Sequence, residues 1–193
     1  MRIPSQNKIE SRARLENVTF GMWLFLASEV MFFTAFFAMV IVMRAAHPEL
    51  IHSHQLNTFL ASINSLVFLA SLFFMNRAVD ASKDGEAKIL FSNLAAVALL
   101  GTLFLVLKSV EYLGEIKDGK LPSTNLFYGC YYTLTGFEGL HVLIGVVILA
   151  ALSWRARRGD FTRAYNSPVE VFGLYWSLLV VVWFFILPVF YLD

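Results

Sequence analysis

The chain alternates between long apolar stretches and short polar connections. Five stretches are long enough to cross about 30 Å of hydrocarbon as α-helices, at about 1.5 Å per residue. The sequence lacks the alternation of apolar and polar residues over about ten positions that is typical of transmembrane barrel strands. The pattern therefore predicts an all-α integral membrane protein in which residues 20–193 form a single bundle of five transmembrane helices. We place the spans at Phe20–Met43, Leu56–Met75, Ile89–Leu107, Leu126–Ser153 and Val169–Leu192.

Basic residues are divided unequally between the two sides of this predicted bundle. The N-terminal tail and the second and fourth connections together hold eleven Lys and Arg residues, and the opposite side holds four. Because short cytoplasmic segments are enriched in basic residues, we expect a cytoplasmic tail over residues 1–19 and an outside C-terminus. All connections are short, so we expect no extramembranous catalytic domain.

The second predicted helix carries a stripe of small and polar residues at three- and four-residue steps. Such a stripe is typical of close packing between transmembrane helices. We therefore expect this face to contact neighbouring helices. The stripe consists of Asn57, Ala61, Asn64, Ser65 and Ser71.

The composition supports a membrane protein and excludes several functions. The chain is 58% hydrophobic and 15% charged, against about 45–50% and about 25% in globular domains. With a net charge of +1 and no basic tract interleaved with aromatics, we expect no nucleic-acid partner. Cys130 is the single cysteine, which excludes an intramolecular disulfide and any site built from two thiolates.

Glu29 and Glu138 are acids deep within predicted spans, and His141 lies one turn after Glu138. An ionised side chain at the bilayer centre costs about 2.5–3.5 kcal/mol on insertion scales. The helical rise puts both acids at a similar depth. We therefore hypothesise that they share a proton, or that one of them pairs with a charged His141. The alternative is a structural, neutral acid bonded to a neighbouring helix.

Two further polar pairs have structural explanations. Glu111 follows Lys108 by three residues, a spacing that allows an ion pair at the membrane interface near the outer end of the third span. Ser167 and Glu170 flank Pro168 in a capping-box pattern at the start of the fifth span. We expect these pairs to stabilise helix ends.

Metal and redox motifs are incomplete. The Glu138-x-x-His141 spacing occurs in di-iron bundles, but these need two such motifs and two more glutamates. His52 and His54, with His47 nearby, could bind a transition ion, but a solvated loop explains them better. We expect no catalytic residue, metal or redox cofactor in this chain.

Several motifs in order resemble haem–copper oxidase subunit III in its short five-helix form. The resemblance implies a bacterial inner-membrane subunit without its own haem or copper. Such a subunit lies beside catalytic subunit I and near subunit II, and haem and copper are expected in those partner subunits. It binds phospholipid and supports proton uptake. It also implies that Glu29 is the family's membrane-embedded glutamate, with His141 and Glu111 as matched positions. The motifs are Gly21–Phe33 with Ser28-Glu29, Leu56-Asn57-Thr58, Lys108-x-x-Glu111-Tyr112, Thr135–Gly145, and Tyr175-Trp176 with Val181-Val182-Trp183.

The chain departs from the family pattern at two places. Glu138 stands where a histidine is common, and Ser177 and Val180 stand where a His and an Asp are common in the last helix. These departures suggest a divergent branch, with an unusual electron donor or a respiratory supercomplex. The sequence does not distinguish between cytochrome c and quinol as the electron donor. The alternatives are an accessory subunit of nitric oxide reductase and a free-standing proton or ion carrier.

Overall fold

Five long α-helices make up the part of the chain that the structure describes. A computed structural model describes the backbone of residues 4–47, 56–161 and 166–191, with side chains from residue 17 onward. All five helices are long and apolar enough to cross a membrane, which confirms the predicted all-α five-helix membrane protein. The helices are α1 (Pro4–Ala46), α2 (Thr58–Asp84), α3 (Ala87–Lys117), α4 (Leu126–Arg157) and α5 (Ser167–Tyr191).

The helices extend beyond the predicted apolar spans, because polar helix-forming residues continue the same hydrogen-bonded backbone. α1 begins at Pro4 and so includes much of the predicted N-terminal tail, whose cytoplasmic location stays a prediction. α3 continues for ten residues past Leu107. This extension places Lys108 and Glu111 inside a helix instead of at its end.

Local capping explains where α2 and α4 begin and why α2 and α3 are so close in sequence. The side chains of Asn57 and Asn125 accept hydrogen bonds from the backbone N–H groups of Leu60 and Tyr128 at 3.0 and 2.9 Å. Gly85 ends α2 in the left-handed conformation, with φ 72°. The chain therefore turns from α2 into α3 through two residues only.

Helices α2 to α5 form a closed four-helix arrangement, and α1 packs on its outside. α2 contacts α3 and α5, α4 contacts α3 and α5, and α1 contacts α4 and α5. Large apolar side chains are exposed on all five helices. The outer surface therefore suits hydrocarbon, and α1 is the least enclosed helix.

Trp176 is the central packing residue of the four-helix core. Its indole ring lies between Gly101 and Gly145, where a Cβ atom at either glycine would come within 2.8 Å of a ring carbon. Its Nε1 donates a hydrogen bond to Ser71 Oγ at 3.0 Å, and Trp183 donates in the same way to Ser65. The stripe predicted on α2 therefore packs against a neighbouring helix, α5, through Ser65 and Ser71, whereas Asn57 is exposed and caps the helix.

Candidate functional site

Glu29 and His141 meet between α1 and α4. Oε2 of Glu29 lies 3.1 Å from Nε2 of His141, and both side chains are about one-sixth exposed (16% and 15%). The ring is not aligned closely enough for a hydrogen bond, so this oxygen has no donor among the described residues. Of the two arrangements hypothesised from sequence, the structure forms the acid–histidine pair.

The other ring nitrogen of His141 indicates the tautomer of the ring. Nδ1 lies 2.8 Å from the carbonyl oxygen of Phe137, one turn earlier on α4. A carbonyl only accepts, so this contact assigns a proton to Nδ1 and leaves Nε2 facing the carboxyl. One further proton, on either Nε2 or Glu29, makes the pair neutral overall. The pair is therefore able to hold a proton without placing net charge in the membrane.

A groove with a volume of about 520 Å³ opens over the Glu29–His141 pair. It lies between α1, α4 and α5, and apart from the pair and the Tyr175 hydroxyl its lining is mainly aliphatic and aromatic. The hydroxyl of Tyr175 donates a hydrogen bond to the carbonyl oxygen of His141 at 2.8 Å. The groove therefore combines an apolar lining with a few polar groups, a combination typical of small-molecule and lipid sites.

Glu138 does not join the Glu29–His141 pair. It is fully buried on the stripe of α4 that also carries Tyr131, Val142 and Gly145. Neither carboxyl oxygen has a hydrogen-bond partner among the described residues. The direct sharing of a proton between Glu29 and Glu138 is therefore not formed.

Lys108 and Glu111 form a second polar cluster, in the core between α3, α4 and α5. Nζ of Lys108 lies 3.1 Å from Oε2 of Glu111, and both residues are only 4% exposed. Tyr131 and Tyr191 bridge the pair, because each contacts the ammonium group and donates a hydrogen bond to Oε1 of Glu111. The ion pair expected from the sequence is present, and it is enclosed in the protein interior. Its location at the membrane interface stays a prediction.

Comparison with known proteins identifies the family. The family described as Cytochrome c oxidase subunit III matches residues 9–192. The chain belongs to the cytochrome c oxidase subunit III family. A cytochrome c oxidase subunit 3 from Synechocystis sp. is 32% identical, covering 90% of this chain and 74% of that protein. The cytochrome c oxidase subunit 3 of Sus scrofa is 33% identical, covering 89% of this chain and 67% of that protein. A cytochrome bo(3) ubiquinol oxidase subunit 3 from Buchnera aphidicola is 23% identical, covering 90% of this chain and 85% of that protein.

Membership of the subunit III family confirms the resemblance seen in the sequence. The chain is a non-catalytic oxidase subunit and a multi-pass membrane protein, and it associates with other oxidase subunits. The named relatives are oxidase subunits. They favour this function over the nitric oxide reductase subunit and the free-standing carrier.

The predicted helix cap of this subunit III chain is displaced by one residue. The backbone N–H of Glu170 donates to the carbonyl oxygen of Asn166, which makes Asn166, and not Ser167, the capping residue. The carboxylate of Glu170 instead lies 3.6 Å from Nζ of Lys83 on α2. This exposed ion pair joins α5 to α2 near the connection between α2 and α3.

No metal site is apparent in the described part of this subunit III chain. There, no three His, Cys, Asp or Glu side chains come together in a way that suits a metal ion. His52 and His54 lie outside the described residues. Nε2 of His141 lies against Glu29, and Nδ1 lies against the carbonyl oxygen of Phe137.

Tyr131, Tyr175 and Tyr191 are site residues that the sequence analysis did not select for chemistry. Tyr131 and Tyr191 complete the Lys108–Glu111 cluster, and Tyr175 lies beside His141. Tyrosine is common in transmembrane helices and at membrane interfaces. In a sequence with seven tyrosines, nothing local distinguishes Tyr131 and Tyr191, because their partners come from other helices. Tyr175 was noted only as part of a family motif.

Proposed function

We propose that the chain is subunit III of a bacterial haem–copper terminal oxidase of the inner membrane, and that its Glu29–His141 pair supports proton uptake by the neighbouring catalytic subunit. The observation that carries the proton role is the 3.1 Å contact between Glu29 and His141 at a partly open groove. Family membership supports the proposed identity as subunit III of a terminal oxidase. Haem and copper belong to partner chains in this proposal, namely catalytic subunit I and subunit II.

The Glu29–His141 pair suits buffering better than catalysis. A carboxyl and an imidazole in contact exchange a proton at little cost, since the neutral pair and the ion pair carry the same total charge. The apolar groove around them disfavours any state with net charge. Proton gain or loss at this pair therefore depends on a nearby proton pathway, which supports a place beside the catalytic subunit.

The groove also supports a phospholipid as a bound partner. Its aliphatic and aromatic walls match an acyl chain, and its only strongly polar groups are Glu29, His141 and Tyr175. An acyl chain lying there shields the Glu29–His141 pair from water, so that the proton exchanges mainly between the two side chains of the pair. Lipid contact is thus part of the same proposal.

The orientation in the proposal follows from the charge distribution. Eleven of the fifteen basic residues lie on the side assigned to the cytoplasm. With the N-terminus inside, the chain enters α1 from the cytoplasm and leaves α5 on the outer side. The Lys108–Glu111 cluster is then nearer the outer face than Glu29 is.

Gentle detergent extraction from the native membrane tests the proposed assembly. We expect the chain to co-purify with a larger multi-pass subunit, and the preparation to show the optical spectrum of haem and a stoichiometric copper content. Co-purification with nitric oxide reductase chains would support the related reductase instead. A stable, haem-free oligomer with transport activity would overturn the proposal in favour of a carrier.

A further inference from the structure

A cleft with a volume of about 430 Å³ opens between α2 and α3, at the end of the bundle where α2 begins and α3 ends. It meets the buried Lys108–Glu111 cluster, because Glu111 both pairs with Lys108 and lines the cleft. Apolar side chains line another part of it, namely Leu56, Leu60 and Val110. The cleft therefore leads from the surface of the bundle to a charged group of its interior.

The charges around this cleft do not balance. Three carboxyl groups and one ammonium group line it, those of Glu111, Glu115, Asp118 and Lys120. Lys108 matches Glu111 from the protein interior. Glu115 and Asp118 share Lys120, whose Nζ lies 2.8 and 3.8 Å from their respective carboxylates. One negative charge is therefore in excess among the groups at the cleft, which favours a cation there.

Glu115 has an incomplete set of hydrogen bonds. Only 6% of this residue is exposed, and its Oε2 atom has no hydrogen-bond donor among the described residues. Nζ of Lys120 is close to this oxygen, but its direction does not suit a hydrogen bond. A buried carboxylate oxygen without a donor costs free energy. A donor that enters through the cleft would satisfy this oxygen, so the site is incomplete in the chain alone.

A basic side chain fits this cleft better than a metal ion or an anionic lipid. No three His, Cys, Asp or Glu side chains of the described residues come together in a way that suits a metal ion. The excess negative charge repels an anionic headgroup. A lysine or arginine side chain carries the N–H donors that Glu115 lacks, and its aliphatic stem suits Leu60 and Val110. The chain associates with other oxidase subunits, and these are the nearest source of such a side chain.

We propose that the cleft between α2 and α3 is a docking site for a lysine or arginine side chain of a neighbouring oxidase subunit, held by Glu115 and Asp118. The incoming cation balances the excess negative charge and donates the hydrogen bond that Oε2 of Glu115 lacks. The Lys108–Glu111 pair stays intact. This inference rests on the proposed assembly with other oxidase subunits, and it is independent of a proton role for Glu29.

Photo-crosslinking in the purified oxidase complex identifies the occupant. Gly114 lines the cleft, and a Cβ atom there would have no neighbouring atom within 4 Å, so Gly114→p-benzoylphenylalanine places a photoreactive group in open space. We expect ultraviolet light to join position 114 to a peptide of another oxidase subunit that contains lysine or arginine, identified by mass spectrometry. Gly139→p-benzoylphenylalanine is the matched control, because this glycine on α4 is equally open and lies outside the cleft. We expect no crosslink from position 139 to the same peptide.

Substitution of Glu115 tests whether charge holds the partner subunit. Glu115→Gln keeps the size of the side chain and removes the carboxylate. Because loss of one member of a desolvated charge pair mainly speeds dissociation, we expect the variant chain to leave the complex about tenfold faster or more. Exchange of fluorescently labelled chain against unlabelled chain measures this rate. Asp118→Asn, at a side chain that is 67% exposed, should show a smaller increase, and Glu86→Gln, exposed at the other end of α3, should show none.

The outcomes separate this inference from the proposed assembly. In a haem-containing complex, a crosslink from position 114 to lipid, to a second copy of this chain, to a peptide without a basic residue or to nothing would overturn the docking site alone. A chain that purifies without haem and without other subunits would overturn both proposals.

The basic residue found by crosslinking distinguishes docking from a purely structural role of Glu115. Neutralising that residue should not add to the effect of Glu115→Gln, since both changes remove the same contact. Fully additive effects would contradict the proposal. If Glu115→Gln fails to fold, the crosslinked peptide and the exchange rate of Asp118→Asn decide, and a wild-type rate for Asp118→Asn then counts against docking.

Discussion

His141 on α4 lies 3.1 Å from Glu29 on α1, measured between Nε2 and Oε2. α1 makes its main contacts with α4 and α5 and is the least enclosed helix. The pair is therefore a polar contact between the peripheral helix and the four-helix core. Any change of its protonation acts where the bundle is most open to its surroundings.

Replacing Glu29 with Gln tests whether this contact handles protons. The substitution keeps the size of the side chain and removes its titratable proton. We expect a nearly normal initial rate of oxygen consumption by the purified oxidase, but a different persistence over successive turnovers and a different response to pH. Oxygen-electrode traces at several pH values measure both. Glu170→Gln is the control, and traces of Glu29→Gln that superimpose on wild type would leave Glu29 a structural role only.

Replacing Lys108 with Met tests the buried cluster. Without the ammonium group, Glu111 stays buried between Tyr131 and Tyr191 with no counter-charge, which costs about 3–5 kcal/mol when one partner of a buried pair is lost. We expect a large loss of stability in thermal unfolding in detergent. The double variant Lys108→Met, Glu111→Leu should recover most of that loss. A double variant as unstable as the single one would contradict this explanation.

Replacing Gly145 with Ala tests the packing of Trp176. The added methyl group would lie 2.8 Å from a carbon of the indole ring, and such overpacking costs about 1–3 kcal/mol. We expect a lower unfolding temperature and an altered near-ultraviolet circular dichroism signal from the tryptophan. Gly139→Ala, on the same helix with no atom within 4 Å of the new Cβ, should be neutral or slightly stabilising. Equal destabilisation by both would contradict the role of Trp176.

Cysteine labelling in intact cells tests the orientation. Lys117 and Glu86 are exposed at opposite ends of α3. With the N-terminus inside, we expect Lys117→Cys to react with a membrane-impermeant thiol reagent from outside, and Glu86→Cys to react only after permeabilisation. The native Cys130 is buried, so it gives the unreactive background. The reverse labelling pattern would show that the orientation predicted from the basic residues is inverted.

The sequence by itself determined the class of protein and its five helices. Apolar length is sufficient for this, because a backbone in hydrocarbon satisfies its own hydrogen bonds only within helices or closed barrels. The stripe on α2 was also predictable, since small and polar residues such as Ser65 and Ser71 mark close helix contacts. The ordered motifs around Glu29 and His141 were sufficient to find the family.

Only the tertiary structure decided which polar residues meet. Glu29 contacts His141 and not Glu138, and Lys108 is enclosed by tyrosines from α4 and α5. These outcomes depend on how each helix is rotated about its axis. In a membrane helix that is apolar on nearly every face, the hydrophobic pattern gives little indication of that rotation. It is set by packing between helices, as where Trp176 lies against Gly101 and Gly145.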